Sequence, residues 1–174
     1  MKRILLTYTL AFILLPVYGG EGGSSPAEKK SLLIDYVDPF IGTTNFGTTN
    51  PGAICPNGMM SVVPFNVMGS SENKYDKDAR WWSTPYEHTN CFFTGYAHVN
   101  LSGVGCPELG SLLLMPTTGE LNVDYKEYGS KYKDEQASPG YYSNYLTKYN
   151  VKTEVSATPR TSIARFTFPK GKSH

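Results

Sequence analysis

The sequence predicts an all-β fold, specifically an antiparallel β-sandwich, and three observations lead to this prediction. Aromatic residues make up 13% of the 174 residues, and 17 glycines and 12 prolines supply turns. This composition favours strands joined by tight turns. The C-terminal third alternates apolar and polar residues with the two-residue period of a strand. No segment shows the sustained periodicity and the capping residues of a long helix.

The first residues predict export. The basic start MKR precedes the apolar run ILLTYTLAFILLPVYG, and Gly19 offers a cleavage site, which is typical of a signal peptide over 1–19. The run is shorter than the ~20 residues of a spanning helix. We therefore expect a periplasmic or secreted protein, with no membrane insertion after the signal is removed. The glycine-rich stretch 20–31 predicts a flexible linker, which leaves 32–174 as one β-sandwich domain.

The first half of that domain predicts strands interrupted by polar turns. LLIDYVDPFIGT (32–43) has an extended apolar pattern, and Asp38 before Pro39 is expected to cap a turn through its side chain. MMSVVPFNV (59–67) predicts a strand in which Pro64 indicates an edge or a bulge. The polar stretch 70–79 predicts a solvated loop. GSLLLMPTTGELNVDY (110–125) predicts a strand, a turn at PTTGE and a second strand.

The C-terminal strands carry the clearest pattern. Val151 and Val155 flank Thr153, and later Ala164, Phe166 and Phe168 alternate with Ile163, Arg165 and Thr167. Short turns separate these runs, which predicts antiparallel pairing. Phe166 and Phe168 need partners on an opposite sheet, and few strands are available to supply them. We therefore expect the chain to be truncated relative to a larger protein and incomplete at its C-terminus.

Charge and cysteine usage narrow the class of protein. The net charge of +1 leaves no electrostatic footprint for nucleic acid or for an anionic membrane surface. Cys55, Cys91 and Cys106 allow one disulfide plus one free thiol, or three buried thiols, and the second interpretation is favoured. No two cysteines have the CxxC spacing that would indicate a zinc site. His88 and His98 are too few for a metal cluster, so no metal site is expected in this chain.

The carboxyl groups do not form a recognisable catalytic pattern. Glycoside hydrolysis needs two carboxyl groups facing each other across the scissile bond. The candidates are Asp35, Asp38, Asp76, Asp78, Glu87, Glu108, Asp124, Asp134 and Glu135. No spacing among them fixes such a geometry, and Asp76, Asp78, Asp134 and Glu135 are expected to be solvated surface charges. GxSxG, Walker and Rossmann patterns are absent as well. We therefore expect no complete hydrolytic site and no catalytic residue in this chain.

The stretch RWWSTPYEH (80–88) gathers aromatic and hydrogen-bonding residues in one short loop. One interpretation is that one tryptophan lies in the core and the other residues cover it. The other is a sugar-stacking platform, because adjacent tryptophans in extended backbone point to opposite sides and one of them would be exposed.

Five motifs, in order, resemble the N-terminal domain of glycoside hydrolase family 92, the exported calcium-dependent α-mannosidases. They are YVDPFIGT (36–43), NPGAICPNGMMSVVP (50–64), GYAHVNLSGVGCPELGSLLLMPTTGE (95–120), ASPGYYSNYL (137–146) and VSATPRTSIARFTFP (155–169). The resemblance covers nearly all of 36–169. It identifies 95–110, with its four glycines, as the signature glycine-rich loop of that family.

The resemblance implies a β-sandwich packed on a larger (α/α)6 barrel that is absent from this chain. The barrel would supply the acid, the base and most calcium ligands for an inverting cleavage of mannose-containing glycans. The sandwich would lend loops to the substrate site. Trp82, or Trp81 if the alignment is shifted by one, would lie near the leaving-group sugar. His98 matches the first histidine of the family's His–Thr–His, and Asn100 stands in place of the second.

Three functions follow from these observations. The leading one is the N-terminal domain of an exported α-mannosidase, inactive by itself. The alternatives are a non-catalytic carbohydrate-binding module that uses Trp81 and Trp82, and a purely structural module that supports the barrel. His98 fits a sugar contact or a structural histidine bonded to backbone.

Overall fold

The computed structural model describes residues 31–44, 47–73, 85–100 and 109–171. The described part contains a 3-10 helix at Leu33–Tyr36 and one turn of α-helix at Tyr125–Tyr128 (α1). Its strands are Ala53–Ile54 (β1), Ser61–Phe65 (β2), Phe92–Phe93 (β3), Gly95–Asn100 (β4), Leu109–Leu114 (β5), Ser130–Ser138 (β6), Tyr141–Leu146 (β7), Val151–Ala157 (β8) and Ser162–Thr167 (β9). The predicted signal peptide and most of the predicted linker lie outside the described residues.

The strands form two antiparallel sheets, which confirms the predicted all-β sandwich. One sheet has the order β1-β2-β4-β5 and the other the order β3-β6-β7-β8-β9. The continuous meander from β6 to β9 matches the alternation in the C-terminal third, with Val155 opposite Ala164 and Thr153 opposite Phe166. Because side chains alternate across a strand, one face of each sheet is directed at the other.

Aromatic side chains fill the space between the sheets. Tyr96 of β4 is fully buried and lies edge-on to Tyr142 of β7, with 6.0 Å between ring centroids. The Phe93 ring is also edge-on to the Tyr96 ring, with 4.9 Å between the ring centroids. The remaining buried members of this core are Ala53, Val62, Leu146, Tyr149, Val151, Val155 and Ala157. Phe166 and Phe168 pack against this core and are half-buried.

Two predicted strands are not strands in the structure. Residues 33–36 form a 3-10 helix because the Asp35 carboxylate accepts a hydrogen bond from the Leu32 amide at 2.9 Å and closes the turn. The strand predicted after the PTTGE turn is replaced by irregular chain and α1, which Asp124 caps by accepting from the Lys126 amide at 2.9 Å. Asp38 caps its turn as predicted, accepting from the Phe40 amide at 2.9 Å.

Pro64 lies in β2, which pairs with a strand on both sides at its start and on only one side at its end. β2 pairs with β4 from Val62 to Phe65, whereas β1 pairs only with Ser61 and Val62. At Pro64 the side of β2 toward β1 therefore has no strand partner among the described residues, which is where a residue without an amide hydrogen fits. The edge predicted from Pro64 is confirmed for this end of β2.

The two cysteines that the structure describes carry free thiols. Cys55 and Cys91 are half-buried rather than fully buried, and the Cys55 thiol donates to the Ala157 carbonyl at 3.2 Å. Cys106 lies outside the described residues. The described residues contain no helix with the length and apolar composition of a membrane span.

The outer face of the β7–β8–β9 meander carries an ion pair across β8 and β9. Glu154 accepts from Arg165 Nε at 2.7 Å and from Arg165 Nη2 at 2.8 Å. Tyr141 and Lys152 also donate to this carboxylate. The arginine bonds, followed by those from Tyr141 and Lys152, hold the pKa of Glu154 down at about 2 against the opposing effect of burial.

We expect replacement of Arg165 by methionine to move acid unfolding to higher pH. The folded-state pKa of Glu154 lies below its ordinary value, so the carboxylate contributes stability above about pH 4.5 that is lost as the pH falls toward 2. Removing Arg165 raises that pKa and removes part of the contribution. Circular dichroism from pH 6 to pH 1.5 measures the midpoint, and Arg160→Met, an exposed arginine in the β8–β9 turn, is the control. Equal midpoints for both variants would contradict the role of the pair.

Candidate functional site

The structure places the predicted sugar-contact residues in different settings. Trp81 and Trp82 lie outside the described residues. His98 and Asn100 lie near the end of β4, where the pairing with β5 shifts between them and Val99 has a φ of 57°. The His98 ring is held by a hydrogen bond between its Nδ1 and the Leu112 carbonyl at 3.2 Å. This bond orients the imidazole along the β4–β5 pair.

Asn100 is fixed mainly through its backbone. Its amide donates to the Ser61 hydroxyl at 3.0 Å. Its side-chain Oδ1 is buried, and no described residue donates a hydrogen bond to it. A Cβ added at Gly110, whose φ is 87°, would lie 3.0 Å from that oxygen. The glycine therefore provides the space that the Asn100 side chain occupies.

The described end of the stretch RWWSTPYEH, residues 85–88, points toward the protein interior. Tyr86 is fully buried and Glu87 is nearly so, whereas His88 is half-exposed and its ring lies 4.8 Å from the Phe40 ring. The Glu87 carboxylate accepts from the amide and the hydroxyl of Thr89, at 3.0 and 2.5 Å. Glu87 therefore has its partner within the segment, and Tyr86 is directed into the core instead of toward a sugar-facing surface.

Asn66 ties the segment of residues 85–90 to the end of β2. Its side-chain Nδ2 donates to the Glu87 carbonyl at 2.9 Å, and its Oδ1 accepts from the Glu87 amide at 2.8 Å. The Asn66 backbone amide donates to the Pro85 carbonyl at 3.0 Å. The same Nδ2 donates to the Tyr132 hydroxyl of β6 at 2.8 Å. One buried amide side chain therefore joins the segment to both sheets.

Glu135 was predicted to be a solvated charge, and that prediction is wrong. Its side chain is only 14% exposed. The pairing of β6 with β7 shifts between Lys133 and Gln136, and Asp134 at the shift has a φ of 53°. Such a bulge puts one extra residue in the strand and reverses the alternation of its side chains. Glu135 therefore turns inward, while Asp134 beside it stays exposed.

Two buried tyrosines bind the Glu135 carboxylate. Tyr142 donates to Oε1 at 2.5 Å and Tyr86 donates to the same oxygen at 2.9 Å. Tyr86 also lies 2.9 Å from His88 Nδ1. A phenol has one proton to donate, so with that proton directed to Glu135, the His88 nitrogen is the donor to Tyr86. The donors therefore point in sequence from the surface histidine to the buried carboxylate.

Hydrogen bonds extend this cluster across the core. The Asn144 side chain donates to the Tyr142 hydroxyl at 3.4 Å, and Thr153 donates to Asn144 Oδ1 at 2.6 Å. The Thr153 hydroxyl lies 2.5 Å from the Tyr96 hydroxyl in the opposite sheet. Polar groups of both sheets are thereby satisfied inside an aromatic core, as buried polar groups require.

Burial dominates the electrostatics of this cluster. It raises the pKa of Glu135, and the hydroxyls of Tyr142 and Tyr86 and the His88 imidazole 3.8 Å away act in the opposite direction. Burial also raises the pKa values of the three tyrosines around the carboxylate, which are Tyr86, Tyr132 and Tyr142. Glu135 is therefore a carboxyl group whose protonated form is favoured by the fold.

A cleft of about 620 Å³ lies beside the end of β2 and α1. Hydroxyl, amide and phenol side chains line it together with one lysine; the lining residues are Val67, Met68, Gly69, Ser70, Ser71, Asn73, Tyr125 and Lys126. Neutral hydrogen-bonding groups beside an aromatic ring suit a polyhydroxylated ligand better than a strongly charged one.

Among the described residues, several stretches expose large apolar side chains, and two of them contain three such residues in succession. The first, called the apolar arm here, is residues 32–41, where Leu33 is 88% exposed; its other exposed members are Leu32, Ile34, Tyr36, Val37 and Ile41. The second is β5, where three consecutive leucines, Leu112, Leu113 and Leu114, remain between 57% and 38% exposed. Contiguous exposed apolar surface marks an interaction site.

The described residues contain no group of three or more His, Cys, Asp or Glu side chains that could hold a metal ion.

Comparison with known proteins gives consistent results along most of the chain. A family described as the glycosyl hydrolase family 92 N-terminal domain matches residues 36–174. The chain is 29% identical over 155 residues to an uncharacterized secreted glycosidase of Arthroderma benhamiae, and the match covers 82% of this chain and 18% of that protein.

Solved structures of family 92 glycosyl hydrolases share the fold. The family GH92 α-mannosidase BT3965 of Bacteroides thetaiotaomicron superposes with a TM-score of 0.67 at 32% identity, over 78% of this chain and 18% of that one. The GH92 glycosyl hydrolase ccman5 gives 0.63 at 30% identity, over 79% and 19%. The chain therefore spans about 18% of the length of BT3965.

Proposed function

The chain belongs to the glycosyl hydrolase family 92 N-terminal domain family, and from this membership we propose that it is the N-terminal β-sandwich of an exported α-mannosidase. The longer protein cleaves α-mannosidic bonds of glycans with inversion and with the help of calcium. The sandwich packs against the (α/α)6 catalytic domain and lends loops to the substrate site.

The family membership carries this proposal, and the exposed apolar surface of the apolar arm and β5 supports its structural part, the packing of a second domain on the sandwich. Leu33 and Ile41 are both more than 70% exposed although they lie in a stretch with the composition of a core. Burying apolar area stabilises a protein by about 25 cal/mol per Å², so a second domain covering these side chains would be strongly held. A chain that spans 18% of the structures it resembles leaves ample length for such a domain.

The described carboxyl groups support a catalytic site located elsewhere. The three most buried are bonded within the fold, with Glu87 held by Thr89, Glu135 by two tyrosines and Glu154 by Arg165. We therefore assign the acid, the base and most calcium ligands to the rest of the longer protein. This chain by itself is expected to be inactive, and no catalytic step is assigned to its own residues.

Within this proposal, Trp82 stacks on the sugar next to the cleaved bond, with Trp81 as the alternative. His98 lies at the rim, where the bond to Leu112 fixes its ring. Asn100 has its side-chain oxygen buried against Gly110, which favours a structural contribution to the same rim. The aromatic and hydroxyl lining of the cleft beside α1 supports the second candidate, a carbohydrate-binding module without a catalytic domain.

The test is calorimetric titration of the exported chain with mannose and an α-linked mannobiose, together with a mannose-release assay in calcium. We expect binding without hydrolysis. Trp82→Ala is expected to weaken binding at least about tenfold, the equivalent of roughly 1.4 kcal/mol. Tyr36→Ala removes an exposed aromatic ring of the apolar arm and is the matched control.

The remaining outcomes separate the candidates. Loss of binding in Trp81→Ala alone would move the stacking role to that residue. A chain that neither binds nor hydrolyses would favour the purely structural module. Hydrolysis by the chain would contradict the assignment of the catalytic carboxyl groups to another domain.

A further inference from the structure

The Glu135 carboxyl joins two parts of the fold that are also linked by the Tyr132 hydroxyl, which donates to the Asn90 carbonyl at 2.9 Å. On one side is the β6–β7 hairpin, through Tyr142. On the other is segment 85–90, through Tyr86 and His88. The side chain is 14% exposed and lies beneath this segment. A small outward movement of residues 85–90 would therefore open the carboxyl group to water.

We propose that protonation of Glu135 fastens segment 85–90 onto the β6–β7 hairpin and that ionisation of Glu135 loosens it. The neutral carboxyl group accepts hydrogen bonds from the Tyr86 and Tyr142 hydroxyls, and burying a neutral group costs little free energy. The ionised group gains strength in both bonds, yet it must remain charged among three aromatic rings. Opening of the segment hydrates that charge, and this relief is available only to the ionised form.

Titratable groups face Glu135 from segment 85–90 and from strands β6, β7 and β4. Segment 85–90 presents Tyr86 and His88, while its Glu87 carboxylate is turned to Thr89. Strand β6 presents Tyr132, and its Lys133 and Asp134 are exposed and pair with each other at 3.9 Å. Strands β7 and β4 present Tyr142 and Tyr96. The tyrosines are neutral near pH 7 because the ordinary pKa of a phenol is about 10, and burial raises their pKa values further.

The direction of the effect follows from linkage. Burial raises the pKa of Glu135 in the folded protein above its value in the unfolded chain. A group shifted in this direction contributes stability that is fully present in acid and is lost as the pH rises through its folded-state pKa. His88, 3.8 Å from Oε2, lessens the shift without reversing its direction. The state in which segment 85–90 is fastened to the β6–β7 hairpin is therefore favoured at acidic pH.

Amide hydrogen exchange of the exported chain between pH 4 and pH 8 tests the proposal. The reporters are the amides of Glu87 and His88, which donate to Asn66 Oδ1 and to the Thr43 carbonyl. Their protection, corrected for intrinsic exchange and compared with amides of β8, is expected to fall at least about tenfold as the pH rises. Glu135→Gln keeps an acceptor and removes the ionisation, so its protection is expected to be independent of pH.

Three further variants make the result decisive. Asp134→Asn changes the exposed neighbouring acid and is expected to leave the transition in place. Tyr142→Phe removes a donor that favours the ionised form, and it is expected to move the transition to higher pH. His88→Gln is expected to keep the transition. A flat profile in the unmodified chain, an unchanged profile in Glu135→Gln, or a transition lost in His88→Gln would overturn the proposal. If Glu135→Gln does not fold, an unshifted transition in Tyr142→Phe overturns it as well.

Discussion

Replacing Tyr96 with alanine is expected to lower the free energy of unfolding by about 3–5 kcal/mol, the range for deleting a large aromatic side chain from a core. Tyr96 is fully buried between the sheets. Its ring contacts Phe93 and Tyr142, and its hydroxyl reaches Thr153. The deletion would leave a cavity and would also leave a buried threonine hydroxyl with one partner fewer. A loss of this size is a large share of the stability of a small domain.

Urea unfolding followed by tryptophan fluorescence and circular dichroism measures this change. Tyr96→Phe keeps the ring and removes only the bond to Thr153, so its expected cost is about 1 kcal/mol. A Tyr96→Ala chain with an unchanged midpoint would show that the two sheets do not share this core.

Replacing Asn66 with alanine is expected to cost about 2–4 kcal/mol, because several buried polar groups would lose a partner at about 1–3 kcal/mol each. The side chain is fully buried and binds both the amide and the carbonyl of Glu87. It also donates to Tyr132. The destabilisation should be concentrated in segment 85–90, which this side chain connects to β2 and β6.

Two measurements separate a local effect from a global one. Urea unfolding gives the total loss, and limited proteolysis reports cleavage within 85–90. Gln136→Ala, which removes an exposed amide on β6, is expected to change stability by no more than about 0.5 kcal/mol. Equal protease resistance of Asn66→Ala and Gln136→Ala would mean that other contacts hold the segment.

The strands could be predicted wherever burial on one face imposed a two-residue period. The alternation of Val151, Thr153 and Val155 is the buried face of β8, so the pattern and the structure agree there. The strand predicted over 32–43 was wrong because most apolar side chains of this segment face solvent in the described chain. A local bond from Asp35 then decided its conformation. Asp124 had the same effect after the PTTGE turn.

The tyrosine-bound carboxyl group could not be predicted in the same way. Asp134 and Glu135 are adjacent acids in a polar strand, and such pairs are ordinarily solvated. The inward turn of Glu135 depends on the register shift in β6 and on Tyr86, 49 residues earlier in the chain. Neither is a local property. The sequence did contain one signal. The adjacent acids Asp134 and Glu135 interrupt the two-residue alternation that the other residues of β6 follow.

The extra residue in β6 also has an evolutionary consequence. Loss of the Asp134 codon would restore regular pairing with β7 and place Glu135 opposite Asn144, since Lys133 pairs with Tyr145 and Gln136 with Ser143. Glu135 would stay in the inward phase, and the buried phenols of Tyr86 and Tyr142 would keep a carboxylate to bind. An in-frame deletion at this exposed residue should therefore be tolerated better than a substitution of Glu135 that removes the carboxyl group. Homologues are expected to vary in the presence and identity of residue 134 while preserving an acid at the inward position.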